Sequence, residues 1–215
     1  MAQHQQAEGA VAHGRAVQGE GGQARDALHG RLLGLAVSDL APGLLIAVPQ
    51  LDDPNFARSV VLLIEHNDSG AMGIVFNRPS DIGLKDIGKE HGMDVHAEAG
   101  NAFIGGPVQR ERGFLVHRRS EVADSVQLQD DVYLSVSTDA LRTLLAGDPA
   151  AYRLCLGYAG WGPGQLEREM VAGGWLNASI SSKRIFDTPV EKIWDAVIRD
   201  LGIDPAFLVQ GGGKQ

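Results

Sequence analysis

Residues 43–76 read GLLIAVPQLDDPNFARSVVLLIEHNDSGAMGIVF, and this stretch decides the fold. GLLIAVPQ (43–50) is an apolar run closed by a proline, as expected of a strand. LDDPNF (51–56) is a polar turn rich in Asp, Pro and Asn. SVVLLI (59–64) is continuously apolar and β-branched, so it predicts a strand buried on both faces. His66, Asn67, Asp68, Ser69 and Gly70 form a turn cluster. AMGIVF (71–76) follows as a second strand, which makes a hairpin.

Downstream, residues 80–101 are polar and glycine-containing, and predict a short helix near Leu84 with a loop. Residues 102–108 and 113–117 are strand candidates. VYLSV (132–136) is another, with Val132, Leu134 and Val136 on one face. Ser137 or Thr138 can cap a helix whose Leu141, Leu144 and Leu145 form one stripe, ended by Gly147. Tyr152, Leu154, Leu156 and Tyr158 alternate as a strand should. Near the end, Thr188 as N-cap, Pro189 at N1 and Glu191 at N3 spell a capping box. Val190, Ile193, Trp194, Val197, Ile198 and Leu201 then recur at helical spacing before the stop at Gly202. Strands and helices interleave, and the first half is strand-heavy with a hairpin. That pattern predicts an α+β fold with a mixed sheet over a doubly wound one.

Upstream, residues 1–37 read differently. Residues 1–26 are built largely from Gly, Gln and Ala with no aromatic residue, too little apolar surface to offset chain entropy, so a disordered extension is expected. Its charges cancel, Glu8, Glu20 and Asp26 against Arg15, Arg25 and Arg31. Residues 28–37 (LHGRLLGLAV) could form a docking helix turn, weakened by Gly30 and Gly34. A single domain over 38–209 and a flexible tail over 210–215 complete the expected organisation, as a length of 215 residues suggests. Lys+Arg 19 against Asp+Glu 27 leaves a net charge of -8, which argues against direct DNA binding. The single cysteine, Cys155, cannot close an internal disulfide, which fits a reducing compartment. The sequence has no apolar run of about 18 residues to span a membrane.

The candidate chemical motifs are mostly decoys. Gly83 to Glu90 (GLKDIGKE) is one residue short of a phosphate-binding loop, and Glu90 stands where a magnesium-holding hydroxyl is needed. His91, Asp94, His96 and Glu98 match no standard metal spacing and read as a solvated loop. Cys155 lies mid-strand among apolar neighbours and reads as an inert thiol. GWGPG (160–164) leads into a helix over 165–172. Glu167 and Glu169 near its start disfavour phosphate there. Trp161 is packed or presented, with packing favoured. Arg110, Arg112, Arg118 and Arg119 with His117 make the one basic patch. It reads as a solvated strand edge before an anion site. In a tight hairpin His66 lies at the turn end, and Asn77 and Arg78 at the far end near Arg58 and Ser59. One catalytic cluster joining His66 to Asn77 is therefore disfavoured.

Four blocks in order carry a resemblance: GLLIAVPQLDDPNFARSVVLLIEHNDSGAMGIVFNRP (43–79), FIGGPVQRERGFLVHR (103–118), LGYAGWGPGQLEREM (156–170) and FDTPVEKIWDAVIRDLGID (186–204). The chain resembles the YqgE/AlgH family over about residues 42 to 209. The resemblance implies a compact α+β domain whose mixed, strongly curved sheet forms a partial barrel with flanking helices, in a bacterial cytoplasmic protein. It implies no settled activity. AlgH-like members carry a transcriptional-regulator label that rests on genetics and not on a DNA-binding motif. Many relatives carry a cysteine before Glu-His where this chain has Ile64, so a thiol-based role does not carry over. The Gly/Gln/Ala extension also lies outside the family pattern.

The expected function is non-enzymatic binding or regulation, through a protein partner or a small ligand, without cofactor or metal. The candidate surface comprises Asn77, Arg78, Gly105, Gly106, Pro107, Tyr158, Trp161 and Gln165. Gly105 and Gly106 would allow close backbone approach, and Trp161 could serve as an anchor. The alternative is a hydrolase or transferase using Glu65, His66 or Glu167, which would have to converge on one pocket.

Overall fold

The computed structural model describes residues 40–210 except 50 and 52. The expected extension over 1–37 lies outside these residues, as does the tail beyond Gln210. Ten strands are present among them: β1 Gly43–Ala47, β2 Val60–Asn67, β3 Gly70–Val75, β4 Pro79–Gly83, β5 Asn101–Ile104, β6 Val108–His117, β7 Val126–Gln129, β8 Val132–Ser135, β9 Tyr152–Trp161 and β10 Trp175–Ala178. The helices are α1 Leu84–Glu90, α2 Thr138–Ala146, α3 Gln165–Val171, α4 Ile193–Asp200 and α5 Pro205–Gln210.

The strands run in the order β10-β1-β2-β3-β9-β6-β8-β7, with β4 joined to β5 and β5 to β9. The β5–β9 pair is parallel and the other pairs are antiparallel, so the sheet is mixed. It curls into a half-barrel flanked by helices, an α+β architecture. Strand β9 is the joint. One of its edges carries β6, and the other carries β5 at Cys155 and Leu156 and then β3 from Ala159 to Trp161.

The two-faced burial of the opening strands explains their unbroken apolar runs. Leu44, Ile46, Val60, Leu62 and Ile64 point to one face, where Ile193, Trp194, Val197 and Ile198 of α4 cover them. Leu45, Ala47, Val61 and Leu63 point to the other, under Leu166 of α3 and the indoles of Trp161 and Trp175. A third cluster joins Leu115, Tyr152 and Leu154 of the second half-sheet to Ala140, Leu144 and Leu145 of α2. Each such aliphatic side chain contributes about 2 kcal/mol on burial. The Trp194 indole adds a hydrogen bond to the Ala47 carbonyl at 2.7 Å, pinning α4 to β1.

Several local expectations need correction. The Thr188 hydroxyl donates to the Lys183 carbonyl at 3.1 Å and caps no helix. A π-turn over Lys183–Asp187 stands before it, and a 3₁₀ turn over Val190–Lys192 delays α4 to Ile193. The strand expected over 102–108 breaks at Gly105, Gly106 and Pro107 into β5 and β6. Strand β6 is no sheet edge in its second half: Leu115 pairs with Ser135 of β8 on one side and Leu154 of β9 on the other. Ser137 does cap α2, its hydroxyl accepting from the Ala140 N–H at 3.1 Å.

Candidate functional site

The site begins where β5 turns into β6. The Gly105 N–H donates to the Leu156 carbonyl at 2.7 Å, and the Gly105 carbonyl accepts from the Val75 N–H at 2.8 Å. The backbone there is wedged between β9 and β3. Gly106 has φ +156° and Gly157 has φ +79°, regions that favour glycine. A Cβ on Gly105 would lie 2.2 Å from the Gly157 carbonyl oxygen, and one on Gly106 would lie 2.1 Å from the Tyr158 carbonyl carbon. Only glycine permits this approach.

Beside the crossing opens a cavity of about 400 Å³. Arg78, Gly106 and Pro107 line it, with Asn55, Asp81, Ile82, Phe103, Ile104 and Arg110 among the other walls. Ile82 and Ile104 remain 47% and 38% exposed, a large fraction for such side chains. A second cavity of about 420 Å³ shares Ile82, Arg110 and Leu156 with the first, so the two adjoin as one groove running toward His91 and Leu141.

The two arginines of the groove differ. Arg78 Nη1 donates to the carbonyls of Asn55 and Pro54, tying the 53–58 loop to the start of β4. Arg110 sits in a register jump: Val108 pairs with Tyr158 and Gly113 with Leu156, so four residues of β6 answer one of β9. Gln109, with φ +47°, turns that segment outward. Arg110 has no ion pair among the described residues and stands as the groove's uncommitted cation.

The rest of the expected basic patch disperses. Arg112 lies over the Phe114 ring at 5.1 Å. Arg118 pairs with Asp187 at 2.9 Å, and Arg119 pairs with Glu121. His117 is fully buried, and burial pushes its pKa down to about 4, so it carries no charge at neutral pH. Its Nδ1 accepts from the Arg119 N–H at 3.3 Å, which leaves the proton on Nε2. Nε2 then donates to Ser135 at 3.0 Å, the opposite of the direction a base activating a serine would need.

The remaining members of the candidate surface lie elsewhere. Asn77 accepts from the Val60 N–H at 2.8 Å and donates to the Arg58 carbonyl at 2.9 Å, closing the end of the β2–β3 hairpin. Tyr158 meets Phe114 edge-on at 6.0 Å. Trp161 is only 6% exposed, stacked near Phe56 at 6.2 Å and edge-on to Trp175 at 5.6 Å. Both indole N–H groups donate to Glu169 Oε2, at 3.0 Å from Trp161 and 2.8 Å from Trp175. Gln165 donates to the other oxygen of Glu169 and accepts from the Gly162 N–H, at 2.9 and 3.0 Å. The structure therefore brings Arg78, Gly106 and Pro107 together over Gly105, and places Trp161 and Gln165 in a separate packed cluster. Arg110, Ile82 and Ile104 are groove residues outside the candidate surface read from the sequence. The run of arginines after a Gly-Gly-Pro break was the signal available for Arg110.

A β-bulge at Ile64 turns His66 toward α3, where its Nε2 meets Glu167 Oε1 at 2.7 Å. The Glu167 backbone N–H and then the imidazole hold that carboxyl below its usual range. Glu65 instead accepts from Asn67 at 2.6 Å. None of these three residues lines the groove. The phosphate-loop lookalike is the end of β4 and helix α1. Among the described residues no group of three or more His, Cys, Asp or Glu is placed to hold a metal. Cys155 is fully buried, and burial pushes its thiol up to about 12. No described helix is long and apolar enough to cross a membrane.

A curled α+β half-barrel with a glycine-floored, arginine-flanked groove is the class of protein these observations define. Residues 44–206 match the profile of the AlgH-like family, DUF179, and the chain belongs to that family. A UPF0301 protein of Myxococcus xanthus is 43% identical over 179 residues, covering 82% of this chain and 99% of the relative. A UPF0301 protein of Methylococcus capsulatus is 42% identical over 179 residues, covering 81% and 95%. The solution structure of the AlgH protein from Pseudomonas aeruginosa superposes with a TM-score of 0.64 at 33% identity, covering 84% of this chain and 99% of that one. Protein DIP2367 from Corynebacterium diphtheriae shares the fold, with a TM-score of 0.66 at 22% identity over 83% of this chain and 96% of that one.

Proposed function

We propose that this protein works by binding and not by bond-making, and that the groove between Arg78 and Arg110 is where it binds. The observation that carries the reading is the exposed pair Ile82 and Ile104 beside the uncommitted cation of Arg110, over a backbone crossing that only glycine allows. Apolar walls with a few placed polar groups are the usual make-up of a ligand site. The occupant, a small ligand or a segment of a protein partner, would present an anionic group to Arg110 and apolar surface to the isoleucines. Regulation, the role attached to AlgH-like proteins, would then run through that occupant. A net charge of -8 disfavours direct contact with DNA. The single unpaired cysteine supports a cytoplasmic place of action.

The test is affinity purification from the native host, with mass spectrometry of co-purifying proteins and metabolites. Wild type should retain an occupant that Arg110→Glu and Ile104→Asp lose, while Glu167→Gln keeps it. The same set of molecules on all four proteins would refute the groove as the binding site.

A further inference from the structure

Arg153 is only 7% exposed, yet no carboxylate pairs with it among the described residues. Its Nε donates to the Ile185 carbonyl at 2.6 Å, and Nη1 reaches the Phe76 carbonyl at a long 3.4 Å. Of five N–H donors two are used, and Nη2 has no hydrogen-bond partner among the described residues. The guanidinium lies over the Phe103 ring, 4.6 Å from its centre. A buried cation without a counter-charge is costly, and most buried arginines are paired.

Arg153, Phe103 and Phe186 line a third cavity, of about 350 Å³, apart from Arg78 and Arg110. It opens where β5 and β9 diverge, between Asn101 and the 3₁₀ turn over Pro149–Ala151. Phe103 stands between this cavity and the groove and lines both. The one acidic residue on the cavity wall is Glu98.

We infer that this cavity is a second binding site, for a small organic monocarboxylate with an apolar or aromatic body. The planar fork of Arg153 offers its unused N–H groups to one carboxylate, a geometry suited to two parallel hydrogen bonds. Phe103 and Phe186 supply apolar walls for the body of the ligand. Glu98 repels a second negative charge, which selects a monoanion over a phosphate ester. The site shares only the Phe103 and Leu154 walls with the groove and does not rest on the binding reading of Arg110.

Benzoate is the probe, titrated into the full chain by calorimetry and by amide NMR shifts. Neutral benzamide and inorganic phosphate are the comparison ligands. Benzoate should bind saturably, raise the melting temperature, and shift resonances around Asn101 and Phe186. It should bind at least about tenfold more tightly than either comparison ligand. Arg153→Met should lose that binding. Because Arg153 also ties two carbonyls and its variant could fail to fold, Gly100→Asp is the second probe. A Cβ at Gly100 meets nothing within 4 Å, so that variant keeps Arg153 and adds a carboxylate to the cavity wall. It should weaken benzoate at least about tenfold. Equal binding of benzoate and benzamide, tighter binding of phosphate, or benzoate affinity unchanged in Gly100→Asp would each overturn the inference. So would loss of binding in Arg110→Glu with none in Gly100→Asp, which would move the ligand to the groove.

Discussion

The imidazole of His66 meets the carboxylate of Glu167 at 2.7 Å across 101 residues of chain, and the bulge at Ile64 makes that meeting possible. Residues 60, 62 and 64 share one face of β2, and by simple alternation His66 would join them under α4. The extra residue flips the register, and His66 pairs with Ala71 on the α3 side. The half-exposed carboxylate of this pair contributes little. Nearby, Glu169 holds two buried indoles at once. Glu169→Ala should therefore cost about 2 kcal/mol in urea unfolding, because it strands two indole donors. Glu167→Gln should cost under about 0.5 kcal/mol. The reverse order would show that the two tryptophans find other partners.

Acid should destabilise the protein in a window set by His117. Burial lowers its folded pKa from 6.5 to about 4. Between those values the unfolded chain takes a proton that the fold refuses, so the unfolded state binds more protons and stability falls as pH drops from 6.5 toward 4. The loss should be on the order of 3 kcal/mol, and His117→Asn should flatten it. The carboxyls of Glu167, Asp187 and Asp200 are held below their usual range, so their stabilising effect is lost at still lower pH. Urea titrations from pH 7 to pH 4 on both proteins check the slope. An equal slope in His117→Asn would assign the loss to other groups.

Cys155 should ignore thiol reagents in the folded protein. It is fully buried, and its thiol sits at about 12, so almost no thiolate exists at pH 8. Labelling by a disulfide reagent should be complete in denaturant and, in buffer, should proceed only at the rate of opening. Rapid labelling in buffer would place the thiol outside the core.

The glycine crossing under the groove should be intolerant of any side chain. A Cβ on Gly157 would lie 2.6 Å from the Gly106 carbonyl oxygen, with φ at +79°. Gly157→Ala should lose more than about 2 kcal/mol, from strain and clash together. Gly100→Ala meets nothing within 4 Å and should change stability by less than about 0.5 kcal/mol. Melting curves of the two variants decide between them.

Much of the fold is legible in the sequence, for a reason visible in particular strands. Runs such as VVLLI are apolar because both faces of β2 are covered, so period and composition agree. Strands β4, β7 and β10 read PSDIG, VQLQ and WLNA; at four or five residues they are too short to show a period, and pairing with a neighbour defines them. The candidate site was legible only in part. Gly105, Gly106, Pro107 and Arg78 are local in sequence, and the break in the strand shows there. Arg110 was visible as charge, but only the register jump shows it apart from Arg118 and Arg119, which carboxylates neutralise. Trp161 shows the converse limit. The glycines around the indole favour packing over presentation, and Glu169, eight residues on, takes its N–H inward, but nothing local in the sequence names that partner.

Strand β9, starting at Tyr152, is made after all three strands it pairs with, β3, β5 and β6. Until then β3 and β6 have no strand between them, and β5 has only β4. A chain ending before Tyr152 thus leaves β3, β5 and β6 each with an unpaired edge, and joining them waits on pairings distant in sequence, which slow folding. The groove and its glycine floor exist only once β9 is in place, since Gly157 and Leu156 belong to it.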